Sequence, residues 1–394
     1  MDWTWISTLF LGLATAGCLY ALTAAWLAGR LARRLAPRLP AGTPHPSVTV
    51  LKPLCGLEPN LFENLSTVCT QAYAGPVQVV FGVQNAADPA IAVVQRLRAA
   101  HPDLRIDLVV DARQHGSNRK VSNLVNMAGA IAHDVVVLAD SDMVVAPDYL
   151  DRLVAELARP GVAGVTCLYH GVPAHRGVWA QLSGLAIDTQ FLPNVLVGTA
   201  LGLAEPCFGS TIAFRTADLA RIGGFERIRD DLADDYALGA ALRETGGVVA
   251  IPNFTIGHTC VDVSLAELWR HETRWNRTIR NVDPAGYAGS FVTHAFPLAL
   301  IGALVPGAGV LGLAVAAFAL ACRIALCLRV ERAFGLVPHA YWLLPVRDLL
   351  SFAGFAWCFV SGAVTWKGHD YRVVADGTLI PEPGLAQETG APTT

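Results

Sequence analysis

Residues 6–29 carry no charged side chain, and this run limits the fold more than any other segment. A helix over it is long enough to cross a hydrocarbon core of about 30 Å. In lipid a single segment must satisfy its own backbone groups, so helix is the only structure open to it. Arg30, Arg33, Arg34 and Arg38 follow at once. Positive charge beside a span favours the cytoplasmic side, so the amino terminus is expected outside and the next region inside. A signal peptide fits poorly, because the residues before the run include Asp2 and no Lys or Arg.

Two more apolar regions lie toward the other end. Residues 291–328 are too many for one comfortable span and slightly few for two, and Pro306 and Gly307 near the middle suit a tight hairpin or re-entrant pair. Arg323 inside that run must snorkel or find a partner. Residues 340–364 contain Arg347 and Asp348. Neighbours in sequence do not face each other on a helix, so these two are not a ready-made salt bridge. Trp342, Trp357 and Trp366 suit interface anchors. Three to four spans are expected. Arg329, Arg332 and Arg347, with Lys367, His369 and Arg372, favour the inside on both flanks of the last region. One carboxy-terminal segment must then re-enter or lie in the interface. The tail, rich in Pro, Gly, Thr and Glu, is expected to be disordered.

The chain is 53% hydrophobic and 15% charged, against about 25% charged in soluble domains. The deficit belongs to the termini, and the middle reads as an ordinary enzyme. The expected organisation is a membrane helix over 1–30, a basic linker over 31–46, a catalytic domain over 47–290, a membrane region over 291–372 and a tail over 373–394. A formal charge of −3 gives no general attraction to nucleic acid. The nine cysteines form no CxxC pair and read as small buried hydrophobes.

Within the middle region strands are expected at 47–53, 77–83, 106–110 and 135–139, with helices at 58–68, 90–100 and 122–132. This alternation predicts an α/β domain with a parallel sheet covered on both faces. Ligands in such sheets bind beyond the carboxyl ends of the strands. No GxGxxG follows the first strand and no GxxxxGK[ST] occurs, which argues against a dinucleotide site and a P-loop ATPase.

The fourth strand ends in Asp140-Ser141-Asp142. Two carboxylates there could hold Mg²⁺ or Mn²⁺ against a diphosphate, or form a polar turn. Asn85 and Asp88, after the second strand, could bind a base or ribose, or cap the next helix. Lys120, in His115-Gly-Ser-Asn-Arg-Lys, could approach phosphate or remain a solvated turn. Gly209, in Cys207-Phe-Gly-Ser-Thr211, could let a donor sugar pass close to the backbone, or could serve a simple strand entry. Asp235 lies in an acidic cluster at a helix start, where it could cap or take a proton from a hydroxyl. On a helix from about Leu265, His271 and Arg274 share a face. Arg274 could clamp phosphate and Trp275 could stack on sugar or lipid, with contact to lipid headgroups as the simpler role. His258 reads as structural, and no Cys/His cluster supports zinc. The apolar segment 191–203 could dip into the membrane or form a buried helix.

Taken in order, several segments resemble glycosyltransferase family 21, the ceramide glucosyltransferase family. They are Leu51-Lys-Pro-Leu-Cys-Gly-Leu-Glu-Pro-Asn-Leu61, Asp88-Pro-Ala90, Asn118-Arg-Lys-Val-Ser-Asn-Leu124, Ala139-Asp-Ser-Asp142, Asp234-Asp-Tyr236, His271-Glu-Thr-Arg-Trp275 and Val364-Thr-Trp-Lys-Gly368. The resemblance extends to the bacterial hopanoid-biosynthesis branch. It implies a GT-A fold, a UDP-sugar donor (UDP-GlcNAc or UDP-glucose), a hopanoid or ceramide acceptor and single-displacement inversion at a bacterial inner membrane. It places the nucleotide-binding carboxylate position on Asn85, the metal position on Asp140 with Asp142, the general base on Asp235 and the [Q/R]xxRW motif on Arg274 and Trp275. His271 stands where Gln or Arg is usual. Lys52, Asn85, Asp88, Lys120, Asp140 and Gly209 fall on the donor side.

Overall fold

Strand β1 (Val48–Pro53) lies inside a seven-stranded sheet with both of its faces buried, and the α/β region is built outward from it. The computed structural model describes residues 4–40, 42–306 and 308–360 in full, and the backbone of 364–366, 369–373 and 379–381. Ahead of β1 runs the long helix α1 (Thr4–Ala32). After it come α2 (Leu61–Cys69), β2 (Val77–Val83), α3 (Ala90–Ala100), β3 (Arg105–Val110), α4 (Arg119–Ala128), β4 (Val135–Leu138) and β5 (Met143–Val144). Next are α5 (Tyr149–Leu157), β6 (Val162–Thr166), β7 (Leu168–Pro173), α6 (Val178–Ala186), α7 (Leu192–Ala200), β8 (Ile212–Arg215) and α8 (Thr216–Arg221). The region closes with α9 (Asp234–Arg243), β9 (Val248–Ala250), β10 (Thr255–Cys260), α10 (Leu265–Val282) and α11 (Pro284–Gly289).

The sheet order is β3-β2-β1-β4-β8-β6-β9. β3, β2, β1 and β4 are parallel, as the alternation predicts. β8 runs antiparallel to both β4 and β6, so the sheet is mixed rather than wholly parallel. The strand continues no βα rhythm there, because it enters from the turn at Gly209 instead of from a crossover helix. Val48 and Val50 of β1 pack into one core, with Val79, Phe81 and Val137. Leu51 packs into the other, with Val80, Val136 and Phe214. Both faces are dry, which is why the strands read as continuous apolar runs.

A small second sheet, β5-β10-β7, folds over the end of β4. β5 directly follows Asp142 and pairs antiparallel with β10, opposing Met143 to His258. The helix expected at 122–132 starts earlier, at Arg119, because the Asn118 side chain accepts the N–H of Val121 at 3.2 Å. That shift moves Lys120 from a loop into a first helical turn.

The apolar helices after α11 are α12 (Ala295–Leu304), α13 (Gly309–Phe334) and α14 (Leu344–Val360). Three segments are long and apolar enough to cross a membrane: Thr4–Ala32, Gly309–Phe334 and Tyr341–Val360. Pro284–Thr293 with Ala295–Leu304 forms a pair bent by 61°, which raises the number to four if it is one broken span. α12 alone is about 15 Å long and cannot cross by itself. α1 presents Ala14, Gly17, Cys18, Ala21, Ala24 and Ala28 to the bundle, and these small residues let α12 and α13 approach its backbone. α7, formed from the apolar 191–203 segment, also packs on α1, and Tyr20 donates to Asn194 between them.

Arg323 finds its partner in Asp348 at 2.8 Å, both nearly inaccessible. Arg347 turns the other way and pairs through two nitrogens with Glu272 of α10. The pattern of adjacent charges is thus resolved by two partners on two different elements. Leu379–Pro381, within the segment expected to be disordered, pairs as a strand with His369–Val373. The rest of that segment, the side chain of Trp366, and Lys367 and Gly307 lie outside the described residues.

Candidate active site

Asp140 and Asp142 leave the carboxyl end of β4 and point into different surroundings. The backbone of Asp140 is held on both sides: its N–H donates to the Gly209 carbonyl at 3.1 Å, and its carbonyl accepts from Lys52 Nζ at 2.6 Å. Lys52 is wholly buried at the end of β1. Burial lowers its ammonium to about 8, against the opposing pull of Asp140 and Asp142.

Lys120 joins two acidic segments that are distant in sequence. Its Nζ lies 2.9 Å from Asp140 Oδ1 and 3.1 Å from Asp234 Oδ2. Burial disfavours its charge, but Asp140, Asp234 and Asp235 outweigh that and raise its pKa. The helix start that carries it is stapled to the acidic loop: Ser117 N–H donates to Asp230 Oδ1 at 2.8 Å and Asn118 Nδ2 to the Asp231 carbonyl at 2.8 Å.

Gly209 stands between Asp140 and Asp235. Its N–H donates to Asp235 Oδ2 at 2.8 Å. A Cβ at this position would lie 2.8 Å from Asp140 Oδ2 and 3.1 Å from Lys120 Nζ, so only glycine fits without displacement. Asp235 also accepts the N–H of Tyr236 at 2.8 Å, in the first turn of α9. Burial and the neighbouring Asp234 charge raise its carboxyl to about 6, with Lys120 and the two backbone donors opposing.

Asp142 faces β10. His258 Nε2 lies 3.2 Å from its Oδ2, and the Thr259 N–H donates to its carbonyl at 2.9 Å. Burial would raise this carboxyl, but the charge and hydrogen bond of His258, with Lys52 behind, hold it at about 2. Its other oxygen, Oδ1, is buried and has no hydrogen-bond partner among the described residues. An unpartnered carboxylate oxygen is a hard ligand of the kind Mg²⁺ or Mn²⁺ takes, and the charged His258 orients that carboxylate rather than donating to a metal. No cluster of three or more His, Cys, Asp or Glu arranged for a metal occurs among the described residues. The remaining ligands would have to be phosphate oxygens and water, as is usual for Mg²⁺.

α10 brings the last group. Its hydroxyl N-cap, Ser264, accepts the Glu267 N–H at 3.2 Å. The His271 ring lies 4.3 Å from Trp275, and His258 lies 5.6 Å from Trp275. His271 Nδ1 is 3.5 Å from Asp262 Oδ2. Arg274 has no ion pair among the described residues. Burial lowers its pKa, and the nearby charges of Asp140, Asp142 and Asp235 oppose that shift.

Lys52, Lys120, Asp140, Asp142, Gly209 and Asp235 are therefore brought together, with Trp275 and His271 beside His258 and Arg274 on the same helix. Asn85 and Asp88 are not joined to this group by any contact among the described residues. Asp88 accepts from Gly56 N at 3.0 Å and from Ala90 N at 2.9 Å, which is the turn-and-cap alternative. Asn85 is exposed, and its side chain accepts the Ala87 N–H at 2.9 Å. His258, read as structural from sequence, and Asp234 are the site residues that sequence reasoning passed over. A lone histidine gives no local signal, because the pairing of β5 with β10 is what carries it to Asp142.

Residues 9–379 match glycosyl transferase family 21. The chain belongs to that family. Among curated relatives, ceramide glucosyltransferase 1 of Caenorhabditis elegans is 27% identical over 231 residues, 58% of this chain and 49% of that protein. An N-acetylglucosaminyltransferase of Bradyrhizobium diazoefficiens is 30% identical over 242 residues, 59% of this chain and 49% of that protein. This family 21 chain thus spans about half the length of the curated relatives it matches. The mannosyltransferase PcManGT of Pyrobaculum calidifontis, solved with GDP-Man and Mn²⁺, superposes with a TM-score of 0.50 at 22% identity. That match covers 90% of this chain and 99% of PcManGT, and it shows the shared GT-A fold.

Proposed function

We propose that this family 21 protein is an inverting lipid glycosyltransferase that moves N-acetylglucosamine from UDP-GlcNAc to a hydroxyl of bacteriohopanetetrol. The observation that carries the reading is Gly209, whose N–H reaches Asp235 while its Cα faces Asp140 and Lys120. A donor diphosphate at Asp140 and Asp142 and a base at Asp235 then lie on the two sides of one glycine. The same arrangement serves ceramide glucosylation with UDP-glucose. That second reading is favoured by the ceramide glucosyltransferase names among the relatives.

Asp235 takes the proton of the acceptor hydroxyl as the oxygen attacks the anomeric carbon. The bond to UDP breaks on the opposite face, so an α donor gives a β glycoside. Arg274 and Lys120 offset the charge that develops on the departing diphosphate. Asp142, with His258 beside it, would hold Mg²⁺ or Mn²⁺, which supplies further positive charge to the diphosphate. Asn85 is the proposed contact to the base, by hydrogen bonds of its amide. Asp88 fixes the turn that carries Asn85. Residues 47–290 are the proposed catalytic unit, facing the cytoplasm of a bacterial inner membrane, and 1–30 and 291–372 its membrane part.

The experiment is direct. Detergent-purified protein is incubated with UDP-GlcNAc or UDP-glucose, against bacteriohopanetetrol or ceramide, with Mg²⁺ or Mn²⁺, and the product is identified by mass spectrometry. An N-acetylhexosaminyl hopanoid supports the first reading, and a hexosyl ceramide the second. No glycolipid from any pairing overturns both.

A further inference from the structure

One group of aromatic side chains runs from the membrane bundle to the acidic site. Phe191 and Phe208 both pack on the cluster formed by α1, α7, α12 and α13. Their rings are 5.0 Å apart, edge to face. Tyr169 stacks on Phe191 at 4.2 Å with the planes 25° apart, and lies 6.1 Å from Phe208. On its other side Tyr169 meets His258 at 5.7 Å. Phe208 directly precedes Gly209, whose N–H holds Asp235. Three rings therefore bridge the distance from bundle to base.

We propose that Phe191, Tyr169 and Phe208 form the acceptor subsite, over which the apolar body of a membrane lipid lies while its hydroxyl meets Asp235. The proposal rests on Asp235 as base and deepens that reading by naming where the acceptor lies. Three observations support it.

Phe191 is held in place by the structure around it. It ends a single π-helical turn, Ile187–Phe191, inserted between α6 and α7. Such turns are uncommon, occur often at functional sites, and need outside support for their distorted ladder. Here Asp188 accepts from Gly171 N at 2.9 Å and meets His339 Nε2 at 2.7 Å. Arg323, already paired with Asp348, donates to the Thr189 carbonyl at 2.7 Å. The turn is thus fixed to the strand that carries Tyr169 and to two membrane-side segments.

The rings differ from ordinary core residues in exposure. Tyr169, Phe191 and Phe208 are each partly accessible, whereas the neighbouring Leu168, Leu192 and Cys207 are buried. Among the described residues the Tyr169 hydroxyl has no hydrogen-bond partner.

The occupant follows from continuity. A surface that begins in an apolar bundle and ends beside a base suits a molecule with hydrocarbon within a few atoms of the reacting hydroxyl. Aromatic faces accept alicyclic rings or acyl chains equally well through dispersion and CH contacts.

The test compares wild type with Phe191→Ala and with the conservative Phe191→Tyr. Full-length protein is assayed with a lipid acceptor that wild type glycosylates, and UDP binding is measured separately by calorimetry. Phe191→Ala is expected to raise the lipid KM about tenfold with UDP affinity changed less than about twofold, and Phe191→Tyr to recover most of the loss. An unchanged lipid KM, or equal losses in lipid KM and UDP affinity, overturns the proposal. A diazirine-bearing form of the same lipid gives a second readout on wild type alone. Labelling of peptides carrying Tyr169, Phe191 or Phe208 supports the subsite, and labelling confined to other segments overturns it. If wild type glycosylates no lipid, the proposed function itself fails, and that result is distinct from either outcome above.

Discussion

His258 and Asp142, separated by nearly half of the catalytic region in sequence, meet at 3.2 Å because β5 and β10 pair immediately beside them. The histidine is nearly inaccessible, and Asp142 holds it in the charged form well above the ordinary range, against the cost of burial. Replacing it with alanine leaves the Asp142 carboxylate without its closest counter-charge. Partners that orient a metal-binding side chain are worth about 10–100-fold in affinity. His258→Ala is expected to weaken Mn²⁺-dependent UDP binding by about that factor. Calorimetry with Mn²⁺ and UDP measures it, and unchanged affinity would remove Asp142 and His258 from the donor site.

Asp235→Asn should lower kcat by about 10²–10⁴-fold while UDP affinity stays within a few-fold, because the amide cannot take a proton. Stopped product assays at saturating donor read the first quantity and calorimetry the second.

The same carboxyl predicts a pH limb. With its pKa raised to about 6, Asp235 is mostly ionised at pH 7 and is protonated as the pH falls below 6. Only the ionised form can act as base, so kcat is expected to fall about tenfold per unit on the acid side. A kcat that stays flat from pH 7 to 5 argues against Asp235 as the base.

Gly209→Ala tests the crowding at the centre of the site. The added methyl must displace Asp140 Oδ2 or the Lys120 ammonium, from 2.8 and 3.1 Å respectively. Turnover is expected to drop at least about tenfold with the melting temperature little changed, since a displacement of under an ångström in a positioned group can cost that much. Wild-type turnover in Gly209→Ala would show that the close approach is incidental.

Arg347→Met leaves Glu272 partly buried without a partner and should cost about 3–5 kcal/mol. The double variant Arg347→Met with Glu272→Leu should recover much of that, because an apolar pair of similar volume often equals a buried ion pair. Thermal unfolding in detergent distinguishes the two, and equal destabilisation in single and double variants would contradict an ion pair as the cause.

Much of the parallel half of the fold was legible in sequence, because β1, β2 and β4 are short apolar runs bounded by turns and joined by helices. β8 was visible as a strand but its direction was not, since orientation is set by pairing rather than by composition. The sequence motifs named Asp140, Asp142, Asp235 and Arg274 individually. Lys120 joins Asp140 to Asp234, and its position in a helical turn comes from one capping hydrogen bond of Asn118. Asn85 and Asp88 show the opposite case: a polar pair after a strand looks the same whether it binds a ligand or builds a turn, and Asp88 builds one. Arg323 was expected to need a partner in lipid, but its identity required the three-dimensional packing of α13 against α14.

The paired reach of Arg347 and Asp348 bears on how the chain is assembled during synthesis. α10 leaves the ribosome well before α14, yet the guanidinium that neutralises Glu272 belongs to α14. Until α14 is in place, the segment bearing Arg274 and Trp275 carries an acidic group without this counter-ion. A chain stopped short of residue 347 would therefore hold every residue of the proposed donor site without this fastening of α10.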